Sequence, residues 1–252
     1  MPTKADDSPN IKWHLPAVKE PKKVDNMFSD DIFKRIKDTV TSIPWGPGGE
    51  YFYHTSLGRW EANIEFDPDI EEIMLQRARE IYQDDTLVKS FHYTSRYQKQ
   101  NGNIPHLWKH MDQHACQHSI DMCIEKNNVD WGIEVDGTLF SEAENSAICF
   151  YGQQQVHSRP EYPQNTTDDD YLTLLFLHFV KPDHWYNLAM ERGGLELVAE
   201  TFRQYGADAD VRYFEATGTY AQPQVPAGQQ RCECHSYAEV PDVVQSIIQG
   251  NK

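Results

Sequence analysis

Between residues 87 and 180 the chain is written as short β-prone runs separated by polar turns: Leu87 to Tyr97, His118 to Glu125, Trp131 to Phe140, Ala147 to Tyr151 and Tyr171 to Val180. The last run holds Leu172, Leu174, Leu175, Phe176 and Leu177, apolar on both faces, as in a strand buried from both sides. Short strands that follow helical segments predict an α+β domain with a β-barrel or sandwich core. The chain's 252 residues suffice to bury one substantial core.

Two amphipathic helices precede the β-rich part. Ser29 or Asp30 can cap the first, whose apolar residues Ile32, Phe33, Ile36 and Val40 share one face. The second has Asp67 as N-cap, Pro68 in the first turn, acids at Asp69, Glu71 and Glu72, and a stripe of Ile70, Ile73, Met74 and Ile81. Residues 1–26 lack an apolar period and read as an extended N-terminal arm that adds little to the core. Beyond Pro182 the helical pattern returns, with Leu195, Val198, Ala199, Phe202 and Tyr205 on one face and Gly206 to end it. The expected organisation is an arm (1–26), a β-barrel domain with its N-terminal helices (27–186) and a helical C-terminal extension (187–252).

Charge narrows the partners. Acidic residues number 39 against 23 basic ones, a net charge of −16 spread along the chain. A phosphate polymer or an anionic membrane needs clustered Lys and Arg, so neither nucleic acid nor membrane is expected as a partner. No apolar run reaches the roughly 18 residues that cross a bilayer, and the start MPTKADDSPN lacks a signal-like apolar stretch, which places the protein in the cytoplasm. The five cysteines, Cys116, Cys123, Cys149, Cys232 and Cys234, are scattered, and they read as reduced thiols.

The chemistry gathers at His110-Met111-Asp112 and at His157, which ends a later β-prone run. Alternate residues of a strand share a face, so His110 and Asp112 can bind one cation, and a third imidazole from another strand completes the set. Two imidazoles and a carboxylate hold iron(II) and leave about three positions free. The competing interpretation is three hydrogen-bonded polar residues in ordinary strands. His106, His114 and His118 crowd the same stretch and are expected at the surface, with His114 the one rival for the metal. Cys232-Glu233-Cys234-His235 lacks the second Cys pair of a persuasive zinc site.

In motif order the stretch resembles the prolyl-hydroxylase-like branch of the iron(II)/2-oxoglutarate-dependent dioxygenases. The order is Ser95-Arg96-Tyr97, the turn at Gly102-Asn103-Ile104-Pro105, His110-Met111-Asp112, the strands around Ala147 to Gly152, His157-Ser158-Arg159-Pro160 and the long apolar strand, together roughly a third of the chain. The resemblance implies a double-stranded β-helix, a jelly-roll or cupin-like barrel with flanking helices. It further implies a hydroxylase-type oxidoreductase that binds Fe(II) at His110, Asp112 and His157 and consumes dioxygen and 2-oxoglutarate, with a small molecule or a peptide as substrate. Family members usually hold the far carboxylate of the cosubstrate with a base where the last strand starts, but this chain has Asp168-Asp169-Asp170-Tyr171 there. Arg159, on the face of His157 if the strand continues, is the replacement candidate, and a salt bridge with Glu161 or Asp168 to Asp170 is its alternative role. Tyr97 and Arg96 point to opposite faces, and Tyr97 is the one expected to look inward. An oxygenase independent of 2-oxoglutarate and a non-catalytic binding barrel stand as rival functions. The substrate and the oligomeric state are not written in the sequence.

Overall fold

The computed structural model describes residues 18–46, 52–54, 57–110, 112, 114–152, 154–182, 187 and 191, with the side chains of Phe52 and His114 excepted. The elements in chain order are β1 (Lys22–Val24), α1 (Asp30–Thr41), β2 (Phe52–His54), β3 (Arg59–Asn63), α2 (Pro68–Tyr82), β4 (Val88–Gln98), β5 (His118–Asn127), β6 (Ile133–Val135), β7 (Thr138–Phe140), β8 (Ala147–Phe150), β9 (His157–Ser158) and β10 (Tyr171–Val180). A 3₁₀ turn, His114–Cys116, enters β5.

Seven strands form one sheet in the order β1-β8-β5-β10-β4-β3-β2, and three form a second in the order β7-β6-β9. The apolar run Tyr171–Val180 is the central strand, paired antiparallel to β4 on one side and to β5 on the other. Its two faces go to different cores. Leu175, Leu177 and Phe179 join Ile36 and Val40 of α1 and Ile70, Met74 and Ala78 of α2, so the helices cover the outer face. Leu172 and Leu174 pack with Tyr97, Cys123, Val129, Trp131 and Tyr162 on the inner face. There Ile133 and Val135 of the small sheet meet Ile148 and Phe150 of the large one. Two antiparallel sheets face to face, with helices outside the larger, make a double-stranded β-helix. Among the described residues no helix is long and apolar enough to cross a membrane.

Both helices begin where their signals place them, with Ser29 and Asp67 at the N-caps, although neither side chain makes a capping hydrogen bond. Three expectations are corrected. Lys22–Val24, assigned to the arm, adds an edge strand to β8, and Val24 is buried there. The run Trp131 to Phe140 is a hairpin and not one strand, because Asp136 (φ 48) and Gly137 (φ 78) make the tight turn that an Asp-Gly pair favours. A further hairpin, β2–β3, extends the large sheet past β4. His118 lies inside, 2% exposed, with its ring 4.7 Å from that of Tyr82 and 5.2 Å from that of Tyr151. Of the expected extension 187–252, Asn187 and Glu191 are helical, while the remainder, including Cys232, Cys234 and His235, lies outside the described residues.

Candidate metal centre

His110 and Asp112 sit in an extended segment just before the 3₁₀ turn, not in a regular strand. Two local constraints hold them. The backbones of His110 and His157 exchange both hydrogen bonds, and the Asp112 N–H donates to Gly152 O at 2.8 Å, so the segment is laced to β9 and to the end of β8. The side chains of His110, Asp112 and His157 then converge, with one ligand atom from each lying within 4.8 Å of the others.

The imidazoles are presented in the same way. His110 Nδ1 lies 2.8 Å from Trp108 O and His157 Nδ1 lies 3.0 Å from Gln155 O, in each case the carbonyl two residues upstream. A carbonyl only accepts, so each Nδ1 carries its hydrogen and each Nε2 offers a lone pair. Those Nε2 atoms face Asp112 Oδ1 at 3.5 Å and 3.4 Å. Adjacent ligands about 2.1 Å from a shared cation lie about 3 Å apart, so little adjustment separates this arrangement from a coordinated one. The other oxygen, Oδ2, accepts from Ser119 Oγ at 3.4 Å. A Cβ at Gly152 would stand 2.4 Å from that Oδ2 and 2.7 Å from Cys116 O, so glycine is what lets the carboxylate in.

Electrostatics agrees with a cation site. Burial pushes the Asp112 carboxyl up, but the neighbouring His157 and the close approach of both imidazoles outweigh it and hold the carboxyl well below the usual range. Burial and the neighbouring His157 lower the His110 imidazole, keeping it neutral and able to coordinate. For His157, burial is outweighed by Asp112, and its proton is held more tightly.

The candidate cosubstrate contacts separate. Arg159 points into the barrel, as its spacing from His157 implies, but its partners are Glu142 (2.7 and 3.1 Å), Asp121 (2.8 Å) and Trp131 O (2.6 Å), and not Glu161 or Asp168 to Asp170. The guanidinium is fully buried between two carboxylates. Burial and the nearby Glu142 push Asp121 up to about 7. Tyr97 looks inward and is fully buried, its hydroxyl accepting from Arg59 Nη1 at 2.7 Å. Arg96 is on the opposite face, bound to Thr173 and Glu125 and stacked over Tyr171, away from the triad. His106 stays near the surface, its Nδ1 on Ile104 O.

Sequence reasoning missed Arg59, Asp121, Glu142 and His178. For Asp121 and His178 a signal exists, since each is a polar residue inside an apolar run and at the inward register of its strand. For Arg59 and Glu142, in turn-rich segments with no period, none does.

No family model and no curated protein matches the chain. Among solved structures it is similar to the epimerase SnoN in complex with Fe3+, alpha ketoglutarate and nogalamycin RO, with TM-score 0.48 at 8% identity over 65% of this chain and 79% of that one. It is also similar to EctD from S. alaskensis in its apoform, with TM-score 0.48 at 11% identity over 70% and 78%. A third is the prolyl hydroxylase from Trichoplax adhaerens in complex with a hypoxia inducible factor peptide fragment, with TM-score 0.46 at 8% identity over 64% and 83%.

Proposed function

We propose that the chain is a non-haem iron(II) oxygenase that uses dioxygen and 2-oxoglutarate to hydroxylate or otherwise oxidise a small organic molecule or a peptide. One observation carries the reading: His110, Asp112 and His157 bring three ligand atoms within 4.8 Å of one another in a buried recess, both imidazoles turned to present Nε2. Two imidazoles and one carboxylate suit iron(II), which would displace the proton that Asp112 holds on His157, and they occupy only one side of the ion. Bound there, the metal supplies the activation of dioxygen for oxidation of an unreactive C–H bond.

The chain's own residues supply geometry and exclusion. Trp108 O and Gln155 O lock the two imidazole tautomers, while Gly152 and Ser119 seat the carboxylate. Phe150, its ring 4.7 Å from that of His157, and the apolar wall of Ile133, Val135 and Ile148 keep bulk water from the buried side.

A second reading, an oxygenase that does not use 2-oxoglutarate, is favoured by Arg159. Its fork is closed by Glu142 and Asp121, so a cosubstrate carboxylate does not fit there without displacing one of them. In the first reading the far carboxylate turns instead to Arg59, whose Nη1 meets the inward Tyr97 hydroxyl. The test is incubation of the full chain with iron(II), 2-oxoglutarate and air. Succinate formed by wild type and lost in His110→Ala supports the first reading. Metal binding without succinate, whatever substrates are supplied, supports the second.

A further inference from the structure

Asp112 belongs to two donor sets. Besides His110 and His157, it lies with Cys116 and His178, ligand atoms again within 4.8 Å of one another. The two carboxylate oxygens face different neighbours. Oδ1 faces the imidazoles of His110 and His157, while Oδ2 lies beside Ser119 and the Cys116 backbone, all three crowded around the place where Gly152 lacks a Cβ.

The second set is built, not incidental. Cys116 and His178 are each 3% exposed. His178 is on the inward register of β10, opposite Phe91 and Ser119, and its ring is stacked 4.5 Å from that of Phe91 and 5.7 Å from that of Tyr93. That stack fixes the ring plane, yet Nδ1 of His178 is buried with no hydrogen-bond partner. A buried polar atom left unpaired is costly, so a fixed ring with an orphan nitrogen, in a residue that brings a donor atom within reach of a thiol and a carboxylate, calls for a ligand.

We infer that Asp112 Oδ2, Cys116 Sγ and His178 form a second cation site, selective for a thiophilic divalent ion of the zinc class and bridged by the Asp112 carboxylate to the site of His110 and His157. One thiolate, one imidazole and one carboxylate are a zinc donor set with the fourth tetrahedral position left for water, and binding releases the thiol proton to solvent. Two cations sharing a carboxylate stand about 3.5–4 Å apart. The inference shares Asp112 with the proposed function but needs neither His110 nor His157.

The metal-stripped full chain carrying Cys232→Ser and Cys234→Ser, which removes the Cys-Glu-Cys thiols as competing ligands, is titrated with cobalt(II) and, in parallel, with zinc(II) by calorimetry. Two equivalents are expected, together with near-ultraviolet sulfur-to-cobalt charge-transfer absorption. Cys116→Ser and His178→Asn should each reduce binding to one equivalent, and Cys116→Ser should also abolish the absorption. His110→Ala should lose one equivalent and keep it. Circular dichroism identifies a variant that does not fold, in which case the other variant of the pair decides. One equivalent without thiolate absorption in the parent, or two equivalents retained in Cys116→Ser, overturns the inference and leaves the proposed function standing. Loss of binding in Cys116→Ser with none in His110→Ala overturns the proposed function instead.

Discussion

His110 and His157 exchange both of their backbone hydrogen bonds, His110 N to His157 O at 2.9 Å and His157 N to His110 O at 2.8 Å, an isolated antiparallel bridge between two ligand candidates. The contact fixes the separation of two Cα atoms that the chain places far apart, before any side chain is considered. Each imidazole then hydrogen-bonds the carbonyl two residues behind it, so the two Nε2 atoms reach Asp112 by the same local geometry. The site is thereby organised by backbone, and metal is expected to bind a preformed recess.

From this it follows that divalent metal stabilises the fold and does not create it. Iron(II) at about a hundred times Kd should add about 2.7 kcal/mol, read as a rise in Tm of several degrees. The rise should vanish in His110→Ala, Asp112→Ala and His157→Ala, each of which still shows a cooperative transition without metal. A metal-free wild type that shows no cooperative transition would refute the preformed site.

The Gly152 position tests the seat of the carboxylate. An added methyl would stand 2.4 Å from Asp112 Oδ2, 2.5 Å from Ser119 Oγ and 2.7 Å from the Cys116 carbonyl, and the last is backbone that cannot swing away. Gly152→Ala should therefore weaken metal binding about 10- to 100-fold, the range typical of residues that orient ligands. Unchanged cobalt affinity would show that Asp112 reaches the metal without this seat.

What the sequence disclosed follows from the range of the physics involved. The core strand Tyr171–Val180 and the helices at Asp30–Thr41 and Pro68–Tyr82 were legible because burial on two faces or on one stripe leaves a period in the residues themselves. The convergence of His110, Asp112 and His157 was foreshadowed by their types and order, since a set of donors suited to a cation is restricted to a few residue types. The partners of Arg159 were not. Asp121 and Glu142 come from the middle of β5 and from the loop before β8, and only the register of the sheets brings them together. The edge strand Lys22–Val24 was hidden too, because two exposed or half-buried lysines and one buried valine make no pattern until β8 is beside them.

Arg159 offers a test that separates a structural from a binding role. Its removal in Arg159→Met leaves Asp121 and Glu142 facing each other in the interior, and breaking a buried ion pair by deleting one partner costs about 3–5 kcal/mol. The triple variant Arg159→Met, Asp121→Leu, Glu142→Met should regain most of that stability in urea unfolding. If Arg159→Met unfolds like wild type and loses only 2-oxoglutarate binding, the guanidinium serves the cosubstrate and the ion cluster is incidental.

The pH dependence of stability should be dominated on the acid side by buried histidine, and His118 supplies a case away from the triad's ligands. Burial outweighs the nearby Asp84 carboxylate and lowers its imidazole from 6.5 to about 4. Its Nδ1 has no hydrogen-bond partner, so charging the ring inside the fold leaves a buried N–H unpaired. Because the folded-state value lies below the unfolded one, the unfolded chain takes up the proton first as pH falls. The stability tied to this group is full above about pH 6.5, declines between there and about pH 4, and is gone below. The difference corresponds to about 3 kcal/mol. His118→Phe keeps an aromatic ring against Tyr82 and Tyr151 and removes the titration. Its urea-unfolding free energy should therefore fall less steeply than that of wild type between pH 6.5 and 4, the two profiles running parallel above pH 7. Equal slopes through that window would mean that His118 charges in place, against its burial.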